Sequence, residues 1–217
     1  MILGGSYLQL VIEKLYHGTT DDSLAGFSRQ LINSEYWRPG RDFGPGFYAT
    51  PDIDQAREWA HKAAEKRARV GEFVRPCVLE VDFLPQPYID DDGGVENETT
   101  IFSGVSRSWA YFIYQHRLAS SQSGDPCKKH PAVVIGPMAD NDTGAIVQQE
   151  IQYQYGFDWF YDRIIHSRQN QKLSLPRLGT QIAFCSDVWD SRLALTGYYV
   201  YSEEGAWNHE ERKADSV

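Results

Sequence analysis

Residues 42–60 join a glycine-flanked aromatic segment, Asp42-Phe43-Gly44-Pro45-Gly46-Phe47-Tyr48, to a helix through Ala49-Thr50-Pro51, with no loop between them. No other stretch constrains the fold as much. A short strand that runs straight into a helix needs a partner strand to lie against, and Gly44 and Gly46 let the turn approach that partner closely. Thr50 followed by Pro51 reads as an N-cap with proline at the first helical position. Asp52 and Asp54 fall in the first turn, where the helix dipole favours negative charge. Ile53, Ala56, Ala60 and Ala63 form one apolar stripe, which carries the helix to about Val70. Tyr48 on the strand and Trp59 on the helix stand eleven residues apart. Upstream, Leu15-Tyr16-His17-Gly18-Thr19-Thr20 reads as a strand end where glycine admits a ligand close to the backbone. Two large rings beside a His-Gly-Thr make a clamp for a flat heteroaromatic group.

The rest of the chain supplies short strands interspersed with helices. Strands are expected at Lys14–His17, Gly46–Thr50, Val78–Phe83, Ala132–Ile135, Thr180–Cys185 and Leu193–Tyr201. Helices are expected at Asp21–Asn33, through the spacing of Leu24, Phe27 and Leu31, at Ser106–Leu118, and at Gly156–Ser167. Residues 34–45, 85–100 and 169–176 read as loops. This alternation indicates an α+β fold, a single domain over 1–217 with its core at about 13–201 and a mobile charged tail at 202–217.

The net charge is −9, so no uniform basic footprint for nonspecific nucleic-acid binding exists, although a local basic groove is not excluded. The three cysteines are scattered and read as reduced thiols, and neither they nor the six histidines show metal-ligand spacing; no metal is expected. No signal-peptide pattern and no run of about 20 apolar residues occurs, so the chain reads as soluble and cytoplasmic, with no membrane partner. No nucleophile elbow or Walker-type phosphate loop is present.

The His17-Gly18-Thr19 strand, the Gly44-Pro45-Gly46-Phe47-Tyr48 strand and the following helix with Trp59 resemble the amino-terminal half of the ADP-ribosyltransferase superfamily, diphtheria-toxin-like branch. The wording Asp42 to Pro51, then Gln55-Ala56-Arg57-Glu58-Trp59-Ala60, is most similar to a branch known as the domain of unknown function 3990. Val134 to Asn141 and Thr180 to Cys185 resemble the same branch. This resemblance implies split antiparallel sheets with flanking helices and NAD as the substrate that is bound. Carried over residue by residue, it implies that His17 meets the adenosine ribose, that Gly18 holds the nicotinamide carboxamide, that Thr19 also binds NAD, that Tyr48 and Trp59 sandwich the nicotinamide ring, and that Gln181 orients the nicotinamide ribose. A glutamate normally opens a late strand in that superfamily, and Gln181 stands there instead. Glutamine can hydrogen-bond a ribose hydroxyl but cannot act as a base or bring a full charge to an oxocarbenium-like transition state. The resemblance therefore implies transfer of one ADP-ribose unit to a small-molecule or macromolecular acceptor, with Tyr48, Gln181 and Glu58 as the candidate catalytic residues.

The missing carboxylate keeps a second class open. The chain also resembles fungal arginine-containing cyclodipeptide synthases, which join arginine to a second amino acid from aminoacyl-tRNAs. Asp42, Glu58 and Asp140 could hold a guanidinium by bidentate pairing, while Arg38, Arg41 and Arg57 could meet phosphates of NAD or of tRNA. Arg41, Asp42, Gly46 and Asp140 are accordingly the candidate substrate-binding residues. A binding module that keeps the pocket without turnover is the third reading.

Overall fold

The computed structural model describes residues 14–83, 99–119, 125–139, 142–166, 173 and 178–212. It is a mixed α and β fold with two four-stranded sheets. The first has the order β1–β3–β7–β8, formed by Lys14–Thr20, Pro76–Phe83, Leu193–Tyr201 and Trp207–Glu211, all antiparallel. The second has the order β2–β6–β5–β4, formed by Phe47–Ala49, Thr180–Phe184, Val133–Pro137 and Thr99–Ile101. Within it, β4 and β5 run parallel and the other pairs antiparallel. The helices are a single turn α1 (Leu24–Phe27), then α2 (Ile53–Ala68), α3 (Arg107–Ala119), α4 (Thr143–Tyr153) and α5 (Phe157–Ile164). No helix among the described residues is long and apolar enough to cross a membrane.

The two-residue period of the strands builds the layers. Cys77, Leu79 and Val81 of β3 share one buried core with Val133 of β5 and Ile182 and Phe184 of β6, so this core lies between the sheets. The alternate residues point outward. Val78 packs under Ala56 and Ala60 of α2. Val134 and Ala183 pack under Trp109, Ile113 and Phe160 of α3 and α5. The order of layers is therefore α2, first sheet, second sheet, and the α3–α5 group.

Several elements differ from the sequence expectation. The helix expected over Asp21–Asn33 is a 3-10 turn at Asp21–Ser23 followed by the one-turn α1. Long-range bonds override the local spacing: Arg75 binds both carboxylate oxygens of Asp21, and Ile32 N–H donates to Asp190. Thr50 is not the cap of α2. Its backbone pairs with Tyr16, and Asp52 is the N-cap, accepting from the N–H groups of Asp54 and Gln55. The loop expected over 85–100 ends in strand β4, since Thr99 and Thr100 pair with Val133 and Val134; residues 84–98 lie outside the described residues. Of the loop expected at 169–176, only Leu173 is described, and it is buried. α4 carries no expected element; Glu150 on it is buried, accepting from Tyr114 Oη and from the N–H of Gly156, which starts α5.

The tail expected to be mobile from residue 202 instead forms β8 on the outer edge of β7. Trp207 and Tyr199 receive the Arg57 guanidinium at 5.6 and 5.7 Å from their ring centroids, which ties this edge strand to α2. Residues 213–217 lie outside the described residues.

The seating of α2 rests on Gly18. A Cβ there would stand 2.2 Å from the Ala56 carbonyl oxygen and 2.7 Å from the Ala60 nitrogen, both helix backbone atoms. Gly18→Ala is expected to lower stability by about 2 kcal/mol or more through overpacking, read as a fall in the urea midpoint. An unchanged midpoint would show that α2 is free to move outward.

Candidate functional site

The site forms where the two sheets meet. β1 is an edge strand, and its free side meets the second sheet through one antiparallel bridge. Tyr16 N–H donates to Thr50 O at 2.8 Å and Thr50 N–H to Tyr16 O at 2.9 Å. Beyond that bridge, the strand period turns the N–H and C=O of Gly18 the same way as those of Tyr16, away from β3. These two groups lie past Thr50 on the open edge.

His17 occupies the inter-sheet face of β1. Its ring stacks on Phe47 at 4.7 Å and tilts against Phe27 at 5.1 Å. Its Nδ1 lies 2.6 Å from the Tyr48 carbonyl oxygen, so the neutral ring carries its proton on Nδ1 and presents a lone pair at Nε2. Burial is the main cause that pushes its pKa from 6.5 down to about 4, with the nearby Arg41 charge adding to it. Arg41 is exposed and makes no ion pair among the described residues.

Tyr48 is half-buried, with its hydroxyl engaged inside its own loop. It donates to Gly44 O at 2.6 Å and accepts from Phe43 N–H at 3.0 Å. Burial, with Cys185 and Asp42 nearby, raises its pKa well above the ordinary phenol value. The phenol therefore braces the turn instead of serving as an acid or base. Gly46 is fixed by packing, since a Cβ there would lie 2.7 Å from Phe184 O. Trp59 is on the opposite side of β1 from His17, over Gly18, and its indole N–H meets Met138 Sδ at 3.1 Å. One turn earlier, Gln55 donates to Thr180 O at 3.2 Å, and its Oε1 is buried with no hydrogen-bond partner. Gln55 stands outside the residues expected at the site, although its i, i+4 spacing to Trp59 marks this contact in the sequence.

Asp42 and Gln181 face the interior, which corrects their expected roles. Asp42 Oδ1 accepts from Arg117 Nε at 2.7 Å; Oδ2 accepts from Gln181 Nε2 at 3.0 Å and from Ala139 N–H at 3.3 Å. Its carboxylate is matched by the chain's own guanidinium and is not available to an incoming one. Gln181 is only 3% exposed, so its amide cannot reach a ribose at the strand edge. The cause is strand parity: Ile182 and Phe184 fill the inter-sheet core, which turns Gln181 and Ala183 toward α3. Glu58 is exposed on α2 near Lys62, with 3.7 Å between the charges, apart from Tyr48 and Gln181. Thr19 is half-buried on the His17 face of β1. Asp140 lies outside the described residues.

What remains at the junction is an imidazole lone pair, an arginine with no ion pair among the described residues, the backbone edge of Gly18 and a half-buried indole. The family described as a protein of unknown function (DUF3990) matches residues 14–189. The chain belongs to that family. No curated protein and no solved structure matches it. In this DUF3990 chain the matched stretch contains the whole junction, whereas β8 lies beyond it.

Three expectations follow for stability. The unfolded chain takes up a proton on His17 before the folded one does. The His17 contribution is therefore complete above about pH 6.5 and is lost as the pH falls toward about 4, on the order of 3 kcal/mol in all. Burial holds His116 down as well, so it acts in the same direction. His17→Asn, which keeps a donor at the Nδ1 position and cannot titrate, is expected to flatten part of this acid slope in urea unfolding measured across the range. Arg117→Ala leaves Asp42 without its cation and is expected to cost about 3–5 kcal/mol. Gln181→Glu sets a second carboxylate against Asp42 and is expected to destabilise comparably, not to create an acid in the cleft.

Proposed function

We propose that this DUF3990 chain is an ADP-ribosyltransferase-like transferase that binds NAD at the junction of β1, β2 and α2 and transfers one ADP-ribose unit. The observation that carries this reading is the open edge of β1 at Gly18. An N–H and a C=O pointing the same way from one residue match the two polar groups of a carboxamide, so they suit the nicotinamide end of NAD. Three neighbours support it. His17 Nε2 can accept from a ribose hydroxyl because the Tyr48 carbonyl fixes the other nitrogen as the donor. Arg41, without an ion pair among the described residues, suits the pyrophosphate. Trp59, half-buried above Gly18, offers an indole face to the ring. The two sheets joined at one bridge are compatible with the split-sheet core that the family resemblance implies.

Calorimetric titration with NAD tests the reading. Binding is expected, and His17→Asn should weaken it about tenfold while leaving the fold intact, because one hydrogen bond to ribose is lost. No heat at millimolar NAD would overturn it.

One observation favours a second reading, the aminoacyl-tRNA-dependent cyclodipeptide synthase. With Gln181 held against Asp42, no carboxylate opens β6 to steady an oxocarbenium-like ion. An aminoacyl ester is already activated, so amide formation needs positioning more than charge. The terminal adenosine of tRNA also presents a ribose to His17. Incubation with arginyl-tRNA and a second charged tRNA, read by mass spectrometry, decides: an arginine diketopiperazine supports this reading, and nicotinamide release from NAD supports the first.

A further inference from the structure

Behind the glycine turn of residues 43–46 a second group of side chains converges. His116 Nε2, an Asp125 carboxylate oxygen and Cys127 Sγ all lie within 4.8 Å of one another. His116, on the last turns of α3, is 2% exposed, and its Nδ1 is 2.7 Å from the Phe112 carbonyl. The ring therefore carries its proton on Nδ1 and turns the lone pair of Nε2 toward Cys127 Sγ, 3.5 Å away, and Asp125 Oδ1, 3.6 Å away. His130 stands just outside this group. Its Nδ1 is 2.8 Å from the Pro131 carbonyl, and its Nε2 is buried with no hydrogen-bond partner, 4.0 Å from the other Asp125 oxygen. The two imidazoles meet edge to face with centroids 5.0 Å apart.

Without a cation these contacts are incomplete. A thiol proton on Cys127 could satisfy His116 Nε2, but the His130 lone pair would still face a carboxylate. Among the described residues no lysine or arginine pairs with Asp125. A divalent metal supplies the missing charge. In a tetrahedral zinc site with Zn–S about 2.3 Å and Zn–N or Zn–O about 2.0–2.1 Å, the S···N edge is about 3.5 Å and the N···O edge about 3.4 Å. The distances at His116 match both. Each Nδ1–H on a backbone carbonyl is also the outer contact that orients a metal-binding imidazole.

We propose that His116, Asp125 and Cys127 form a structural zinc site, which His130 completes as the fourth donor by closing in from its present 4.0 Å to Asp125. Nitrogen and thiolate donors with one carboxylate suit this borderline-soft ion better than magnesium or calcium. The ion fastens the segment 125–131 to α3 and to the glycine turn. A Cβ at Gly44 would lie 2.5 Å from His130 Nε2 and 3.0 Å from His116 Cδ2, so the turn is pressed against both rings. The sequence carries the trace as His116, then Asp125-Pro126-Cys127, then His130, a spacing outside the common zinc patterns.

The test uses tag-free full-length protein expressed with added zinc. Elemental mass spectrometry after gel filtration is expected to give one zinc per chain, and chelation to lower the melting temperature. Cobalt added to the stripped protein is expected to show tetrahedral d–d absorption with a thiolate charge-transfer band. Cys127→Ser should abolish that band, and His130→Ala should weaken zinc binding at least about tenfold. Substoichiometric zinc with a thiolate-free cobalt spectrum in the wild type overturns the proposal, whether or not the variants fold. An unchanged cobalt spectrum in Cys127→Ser overturns it as well.

Discussion

The pair of backbone hydrogen bonds between Tyr16 and Thr50 is the constraint on which the rest depends. Thr50 directly follows the short strand β2 of the second sheet, and α2 begins three residues later. Once Thr50 is fastened to β1, the helix has no slack and must return directly over that strand. Its backbone then passes so close to residue 18 that only glycine fits. The same fastening sets the Tyr48 carbonyl beside His17 and fixes the tautomer of that ring. Fold and candidate site thus share one origin: a strand edge left half-paired, with a helix drawn tightly across it.

Three acids of this acidic chain, Asp42, Glu80 and Glu150, are committed inside the layers. Glu80, on the α2 side of β3, receives Lys14 and Tyr199. Glu150 holds the start of α5, and Asp42 joins the glycine turn to α3, to β6 and to the chain after β5. A buried carboxylate is tolerable only when its lone pairs are matched, and removing a partner costs more than the pair contributes. These side chains therefore cannot also serve a substrate. The junction is left with neutral and cationic groups, which is the physical reason that it reads as a surface for a nucleotide more readily than for a guanidinium.

Local patterns made much of the fold legible. The alternation in Val78–Phe83, the apolar stripe of α2 and the spacing of Trp109 and Ile113 follow directly from burial on one face. The failures have a common cause in contacts between distant residues. The Asp21–Asn33 segment has helical spacing, yet its ends are held by Arg75 and Asp190. β8 carries Asn208, Glu210 and Glu211, but Trp207 anchors it through Arg57. Gln181 is the instructive case. Treating Ile182 and Phe184 as core would have turned Gln181 away from the inter-sheet face by period two alone. Motif position fixed where it lies along the strand, and parity fixed which way it points.

The histidines sharpen the same point about direction. His17, His116 and His130 each place Nδ1 against a backbone carbonyl and leave Nε2 to the surroundings, so their chemistry is decided by what Nε2 faces. At His17 no hydrogen bond among the described residues takes up Nε2, and a neutral hydroxyl suffices as partner. At His116 and His130 it faces the Asp125 carboxylate, the arrangement that a bound cation would complete. Gly44 stands between these settings. Its carbonyl holds the Tyr48 hydroxyl, while its α-carbon abuts both imidazoles. An ion bound there would stiffen the turn, the turn would hold Tyr48, and the Tyr48 carbonyl would hold His17. The histidine cluster and the strand edge are thereby consecutive links of one mechanical chain.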